Sequence, residues 1–282
     1  MSDRSAASRS PDFHQPGDFL AECRAIYQLL RQLPAGQLAQ PTLFKSWTII
    51  DIIRHLHMWD RATEWSMVEP DAFAAAMQNW VAFCRTNDVR DLERKELGHL
   101  RPAQLLQNWW DFAQKLATRY QACNPADRVS WAGPDMSIRS SVTARQMETW
   151  AHGQAIFDAL GETRQDTDAL HNIATIGALT YGWSFAVRGL EVPGPAPHIR
   201  LTAPSGTIWQ WNQASTDSCI TGTAVEFCQI VAQTRNVLDT QLSVTGEPAR
   251  EWMAHPQCFA GKSETPPPPG TRYRAARSDS VT

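Results

Sequence analysis

Apolar residues recur every three or four positions in several long segments of the N-terminal half of the chain. This spacing predicts amphipathic α-helices. The clearest start signal is Thr48 followed by Asp51, which predicts an N-cap and a capping box. Four long helices joined by short connections predict a helical bundle. We expect these helices to begin near Asp18, Thr48, Pro102 and Ser141, and the last to end at Gly161.

The pattern changes after Asp168. Alternating segments at 198–203 and 207–211 flank a Pro-Ser-Gly turn and predict a β-hairpin. Segments 223–234 and 247–254 predict helices, with a strand at 241–245 between them. The fold class is therefore mainly α, with a smaller α+β C-terminal domain. We expect a disordered leader at 1–16, the bundle at 17–165, the α+β domain at 166–261 and a disordered Pro-rich tail at 262–282.

Charge and hydropathy narrow the possible partners. The net charge is −3 and no run of Lys or Arg is present, which argues against a nucleic-acid groove or an anionic membrane surface as partner. No segment has the length and apolarity of a secretory signal or a membrane span, so we expect a cytoplasmic protein acting on a small molecule. The six cysteines form no C-x-x-C pair, which favours free thiols.

Two residues one helical turn apart suggest a metal site. Glu148 and His152 are spaced so that both side chains project from one helix face. His55, near the middle of another predicted helix, can complete a set of two histidines and one carboxylate. Such a set leaves a position open for water or substrate and suits zinc or non-haem iron. The spacing also arises by chance, and then His152 is a core histidine and Glu148 a solvated charge.

Two motifs resemble a known family. Residues 47–56 read WTIIDIIRHL, similar to the W-T-x-x-D-x-x-x-H-L signature of the DinB-like superfamily, in the branch of the mycothiol-dependent maleylpyruvate isomerases. Residues 143–154 resemble the metal-binding helix of that branch. The resemblance implies an up-down four-helix bundle in which His55, Glu148 and His152 bind zinc, and a C-terminal domain similar to sterol-carrier domains. It covers nearly all of the predicted folded part.

The resemblance also implies a reaction. Family members commonly use a low-molecular-weight thiol, such as mycothiol or glutathione, against an electrophilic substrate. The chain would then be a metal-dependent isomerase or thiol transferase acting on a small electrophilic acid. In the isomerase an arginine of the C-terminal domain assists the substrate carboxylates, and Arg235 is the candidate here; otherwise it is a surface arginine at a helix end.

Three further residues are candidates to line the pocket or to orient a ligand histidine. Trp131 and Met136 are candidates for the pocket lining, although Trp131 is equally consistent with the core. The stretch at 131–137 matches a less characterised subgroup better than the isomerase itself. Asp60 is a candidate to orient a ligand histidine, or else an exposed helical acid.

Two other functions remain open. One is a metal-dependent hydrolase, although Glu148, as a ligand, could not also act as the free base. The other is a non-catalytic, metal-dependent protein that binds a small molecule.

Overall fold

The structure is a computed structural model that describes residues 12–131 and 135–273. Its contacts divide these residues into two units. The N-terminal unit contains the described residues of 1–40 and 47–149, and the C-terminal unit contains 41–46 and the described residues from 150 onward. None of the described helices is both long and apolar enough to cross a membrane.

Four long helices dominate the N-terminal half of the chain, as predicted. α2 and α1 both pack against α5. α6 joins them through the hydroxyl pair of Tyr120 and Ser141, 2.9 Å apart, and through an ion pair of Arg145 with Asp60 on α2. The helices are α1 (Gln15–Leu30), α2 (Ile49–Val68), α3 (Pro70–Phe83), α4 (Val89–Leu97), α5 (Pro102–Gln121) and α6 (Ile138–Ala159).

The capping box at the start of α2 is confirmed. The Thr48 side chain accepts a hydrogen bond from the backbone N–H of Asp51, and the Asp51 carboxylate accepts one from the backbone N–H of Thr48. Ile49, Ile52 and Ile53 directly after the cap are fully buried. The cap therefore fixes the start of the helix that carries His55.

The cap leads to a stability prediction. Thr48→Ala removes an acceptor for an otherwise unsatisfied helix N–H, so we expect a loss of about 1 kcal/mol in the free energy of unfolding. Urea denaturation followed by tryptophan fluorescence measures it. Thr48→Ser, which keeps the hydroxyl, should lose much less. An equal loss in both variants would show that the methyl group, rather than the hydrogen bond, matters.

The C-terminal unit contains a four-stranded sheet in the order β4-β3-β5-β6. β3 and β4 form the predicted hairpin, with Leu201 opposite Trp209, whereas β3 and β5 run parallel. The strands are β3 (His198–Thr202), β4 (Ile208–Trp211), β5 (Cys219–Thr223) and β6 (Ser243–Thr245). In addition to the last part of α6, the helices of this unit are α7 (Leu170–Leu179), α8 (Tyr181–Ala186), α9 (Ala224–Val231) and α10 (Glu247–Ala254). This is the predicted α+β character, and its likeness to sterol-carrier domains stays a prediction.

Two helix starts differ from the sequence expectation. α1 begins at Gln15 rather than after Asp18, because Pro16 fits the first turn of a helix and the preceding Phe13 is buried. α6 begins at Ile138, directly after a short antiparallel pair of β1 (Arg128–Val129) and β2 (Met136–Ser137). Gly161 follows α6 with φ of 68°, as expected for a residue that ends a helix.

The chain ends also differ. Within the expected disordered leader, residues 12–16 are described and enter α1, while 1–11 lie outside the described residues. Within the expected disordered tail, 262–273 make specific contacts: the Lys45 amine lies 3.0 Å from the Glu264 carboxylate, and Asn236 donates to the Pro267 carbonyl at 2.8 Å. Residues 274–282 lie outside the described part. The division between the units falls inside α6 rather than after residue 165.

Candidate metal centre

The three candidate ligands lie together. One ligand atom from each of His55, Glu148 and His152 falls within 4.8 Å of the other two, and all three side chains are partly buried. His55 lies near the middle of α2, and Glu148 and His152 lie one turn apart on the continuous helix α6. Residues distant in sequence thus present two imidazoles and one carboxylate to one point.

The spacing of these atoms suits a divalent metal. His55 Nε2 lies 3.7 Å from Glu148 Oε2. In a tetrahedral zinc site with ligand distances near 2.1 Å, neighbouring ligand atoms are about 3.4 Å apart. The nitrogen and carboxylate donors also match the types that zinc accepts in sites with an open position. The residues present therefore fit a metal ion.

A buried carboxylate orients His55. The Nδ1 atom of His55 lies 2.6 Å from Glu93 Oε1, and the indole N–H of Trp59 donates to the same oxygen at 3.1 Å. The Glu93 side chain is only 1% exposed. With the proton on Nδ1, His55 donates to Glu93 and leaves the lone pair of Nε2 directed toward Glu148, as a metal ligand requires.

Sequence reasoning missed Glu93, because the segment between α3 and α5 looks like a charged connection. α4 is in fact a helix, and Leu92, Glu93 and Leu97 are its buried residues. The available signal was the four-residue spacing of Val89, Glu93 and Leu97, which places Glu93 on the same helix face as these two apolar residues. An acidic residue there needs a buried partner, and His55 is that partner.

The carboxylates also change the acidity of His55. Burial lowers the pKa of this imidazole, but the charges of Glu93 and Glu148 and their hydrogen bonds outweigh burial and raise its pKa to about 9. The two acids thus make this side of the centre strongly attractive to a cation, whether a proton or a metal ion.

Aromatic rings line the candidate ligands. Within the N-terminal unit, the ring centroids of Trp47 and His55 are 5.3 Å apart in an edge-to-face arrangement. Within the C-terminal unit, the Phe44 ring meets His152 edge-on at 4.9 Å. Apolar rings limit the access of water to polar groups beside them and so strengthen local electrostatic interactions.

Asp60 has different partners from those considered in the sequence analysis. It is fully buried; one carboxylate oxygen accepts from Arg145 Nε at 2.9 Å and the other from Trp109 Nε1 at 3.1 Å. Glu93, rather than Asp60, is the acid that contacts the Nδ1 atom of His55. Asp60 instead connects α2, α5 and α6.

Trp131 lies in an aromatic cluster of the N-terminal unit. Its ring stacks on Phe73 with centroids 5.8 Å apart and meets Trp59 edge-on at 6.1 Å. Trp59 in turn lies beside His55, with ring centroids 6.1 Å apart. Trp131 is therefore one ring removed from a candidate ligand. Met136 lies in β2, and residues 132–134 before it fall outside the described part.

Arg235 forms an ion pair inside the C-terminal unit. Its guanidinium donates to Asp158, near the end of α6, at 2.7 Å, and its side chain is 13% exposed. It is thus more buried than a surface arginine at a helix end, and Asp158 fixes its position.

A cavity of about 600 Å³ also opens in the N-terminal unit. It is lined by residues of α2, α3, α4 and α5, among them Trp65, Trp80 and Phe112. The three candidate ligands are not part of its lining; the donors that suit a metal ion lie in the cluster of His55, Glu148 and His152.

The chain is similar to proteins of one family. Residues 19–157 match the family model of the mycothiol maleylpyruvate isomerase N-terminal domain. Two relatives come from Mycobacterium tuberculosis: the uncharacterized protein MT0041 of strain CDC 1551 / Oshkosh and the uncharacterized protein Rv0036c of strain H37Rv. Each is 35% identical to this chain over 259 residues, and the alignment covers 90% of this chain and 98% of the relative. A crystal structure of the mycothiol-dependent maleylpyruvate isomerase aligns at 14% identity with a TM-score of 0.49, covering 78% of this chain and 88% of that one. A crystal structure of a mutant of that enzyme aligns at 13% identity with a TM-score of 0.47, and it covers the same shares of the two chains.

Proposed function

Because this chain belongs to the mycothiol-dependent maleylpyruvate isomerase superfamily, we propose that it is a metal-dependent enzyme that uses a low-molecular-weight thiol. Its substrate is a small electrophilic acid, and the reaction is an isomerisation or a thiol transfer. The observation that supports this most directly is the meeting of His55, Glu148 and His152 within 4.8 Å.

The proposed metal is zinc, held by His55 Nε2, the Glu148 carboxylate and one imidazole nitrogen of His152. Three protein ligands leave one position of a tetrahedral site for an exchangeable ligand. When bound, a zinc ion lowers the pKa of a coordinated thiol and so supplies a thiolate at neutral pH.

The protein's own groups hold and orient these ligands. Glu93 accepts the Nδ1 proton of His55, and the Trp59 indole holds Glu93 in place. The rings of Trp47 and Phe44 shield His55 and His152, respectively, from water. Such preorganisation matters because a displaced ligand or reactant can slow a reaction by orders of magnitude.

The thiol is the proposed nucleophile. In an isomerase, its addition to an electrophilic carbon and its later elimination leave the thiol unchanged and the acid rearranged. In a transferase, the adduct keeps the new carbon–sulfur bond and gains a proton. The family to which the chain belongs favours mycothiol, and glutathione is the second thiol to test.

The first test is elemental analysis of the purified protein supplied with zinc. We expect one zinc per chain in the wild type and none in the triple variant His55→Ala, Glu148→Ala, His152→Ala, with helicity retained because apolar burial stabilises the bundle. The control is His99→Ala, whose exposed imidazole lies outside the cluster. Equal zinc in wild type and triple variant would contradict the ligand assignment.

The second test separates the possible functions. The zinc-loaded protein is incubated with mycothiol or glutathione and a panel of small unsaturated acids, and the products are followed by NMR. A rearranged acid identifies an isomerase, and a thioether identifies a transferase. Cleavage of simple esters of these acids without any thiol would support a hydrolase instead, while an acid bound tightly and recovered unchanged would support a binding protein.

A further inference from the structure

We propose that the cavity between α2, α3, α4 and α5 binds an organic ammonium cation with an apolar body. The rings of Trp65, Trp80 and Phe112 surround the cation, and the carboxylate of Glu69 balances its charge. All residues that line the cavity belong to the N-terminal unit, and the three candidate metal ligands are not among them. The inference therefore goes beyond the proposed function and does not depend on it.

The cavity has the size and the lining of a small-molecule site. Its volume is about 600 Å³, within the range of roughly 300–1,000 Å³ that is usual for ligand pockets. The lining residues of α2 recur every three or four positions and so share one face of the helix. They are Met58, Arg61, Ala62, Glu64, Trp65 and Val68. One face of α2 thus forms a continuous wall of the cavity.

Three aromatic rings line the cavity at steep angles to their neighbours. The ring centroids of Trp65 and Trp80 are 6.1 Å apart, with an angle of 60° between the planes. Trp65 also meets Phe73 edge-on at 6.1 Å, and Phe112 meets His57 edge-on at 5.7 Å. Such contacts hold the rings in place. An indole face attracts positive charge, so inclined rings around one space suit a cation.

The protein core leaves part of this aromatic surface uncovered. Trp65 and Trp80 pack against the buried cluster of Ala62, Phe73 and Met77, yet both remain partly exposed. Aromatic surface in contact with water is unfavourable, and a ligand with an apolar body covers it. The ligand should therefore combine a cationic group with apolar carbon.

The charged residues of the lining favour a cation over an anion. Arg119 Nε donates to Glu64 Oε1 at 2.8 Å, so these two charges neutralise each other. The other charged lining residues are Glu69, Glu96 and Arg61, of which two are negative and one is positive. All three are exposed, so their charges contribute less to binding than the rings do. An acid would meet net repulsion here, whereas a cation is attracted by both the charge and the rings.

The test is calorimetric titration of the full-length protein supplied with zinc, with benzyltrimethylammonium as the probe. We expect this cation to bind, and to bind more tightly than choline, because its phenyl ring adds apolar contact. Dimethylbutanol is the neutral isostere of choline in which carbon replaces nitrogen. It should bind more weakly than choline by about fivefold or more, since it lacks the charge. Benzoate, an anion with a phenyl ring, should not displace benzyltrimethylammonium.

Variants of the lining test the rings and the charge separately. Trp65→Leu removes one indole face but keeps an apolar side chain, so it should weaken benzyltrimethylammonium binding by roughly tenfold. Trp65→Phe keeps a ring and should lose less. Glu69→Gln should weaken binding by about twofold to fivefold, because the lost charge is exposed. The matched controls are Trp110→Leu, whose ring stacks on Tyr27 outside the lining, and Asp71→Asn, an exposed acid of α3 outside the lining. Both should bind like the wild type.

Several results would overturn the cation site. They are equal affinity of the wild type for choline and dimethylbutanol, unchanged benzyltrimethylammonium affinity in Trp65→Leu, and displacement of this cation by benzoate. If Trp65→Leu does not fold, wild-type affinity in both Trp65→Phe and Glu69→Gln overturns the inference instead. Zinc content should stay the same in every variant, since none of them changes a candidate ligand. A protein that binds the cation but holds no zinc would contradict the proposed function and leave the cation site intact.

Discussion

Asp60→Ala is expected to destabilise the N-terminal unit by about 3–5 kcal/mol, because it leaves the buried charge of Arg145 without its partner. The side chains of Asp60 and Arg145 are 0% and 4% exposed, and Arg145 Nε lies 2.9 Å from Asp60 Oδ1. Trp109 would lose its acceptor as well. A loss of this size should lower the urea midpoint of the unit strongly, as followed by tryptophan fluorescence.

Surface and apolar variants serve as controls for this prediction. Glu64→Ala breaks a half-exposed ion pair with Arg119, also between α2 and α5, and should cost no more than about 1 kcal/mol. The double variant Asp60→Leu, Arg145→Met removes both charges and should recover much of the stability, since apolar replacement of a buried pair is often tolerated. A loss near that of Glu64→Ala for Asp60→Ala would show that water reaches Arg145.

The buried pair also bears on the metal centre. Asp60 lies on α2 five residues after His55, and Arg145 lies on α6 three residues before Glu148. The pair therefore fixes the lateral position of α6 against α2 near the level where the ligands meet. Buried polar networks whose groups are all hydrogen-bonded favour a single arrangement of the helices that carry them.

Local patterns made much of the fold predictable. The capping box at Thr48 and the helix stop at Gly161 depend on neighbours only a few residues away, so the sequence contains the whole signal. The closeness of Glu148 and His152 likewise follows from the pitch of one helix. That His55 joins them requires the packing of two helices, so its position in the middle of a second predicted helix made it only a candidate, and the resemblance in sequence supported the same ligand set.

The remaining features could not be predicted, because they depend on contacts between residues that are far apart in the sequence. Glu93 and Arg272 look like solvated charges in the sequence, because the partners that bury them lie on other elements. A Pro-rich composition is typical of disorder when no partner for the backbone is known. Here Gln233 and Asn236 provide donors for its carbonyl groups, which composition cannot reveal.

Glu93→Ala is expected to weaken zinc binding by about tenfold to a hundredfold, as loss of the group that orients a ligand histidine commonly does. Glu93 Oε1 lies 2.6 Å from His55 Nδ1 and holds the proton there, so that Nε2 stays available to the metal. Without it, the imidazole can rotate or protonate Nε2 instead. Competition with a chromophoric chelator measures the affinity, and the visible spectrum of the cobalt-substituted protein reports the ligand geometry.

Variants at and near Glu93 test whether this residue acts by orienting the His55 ring or by its negative charge. Glu93→Gln keeps an oxygen that can accept from Nδ1–H but removes the charge, so its loss of affinity should be smaller than that of Glu93→Ala. Trp59→Phe removes the N–H that donates to Glu93 while keeping an aromatic ring at this position, and it should have the smallest effect of the three. Glu96→Gln removes an exposed acid of the same helix. It is the matched control for the loss of one negative charge on α4 and should bind zinc normally. If Glu93→Ala binds zinc as tightly as this control and gives the wild-type cobalt spectrum, then His55 is oriented by its packing against Trp47 and Trp59 rather than by Glu93.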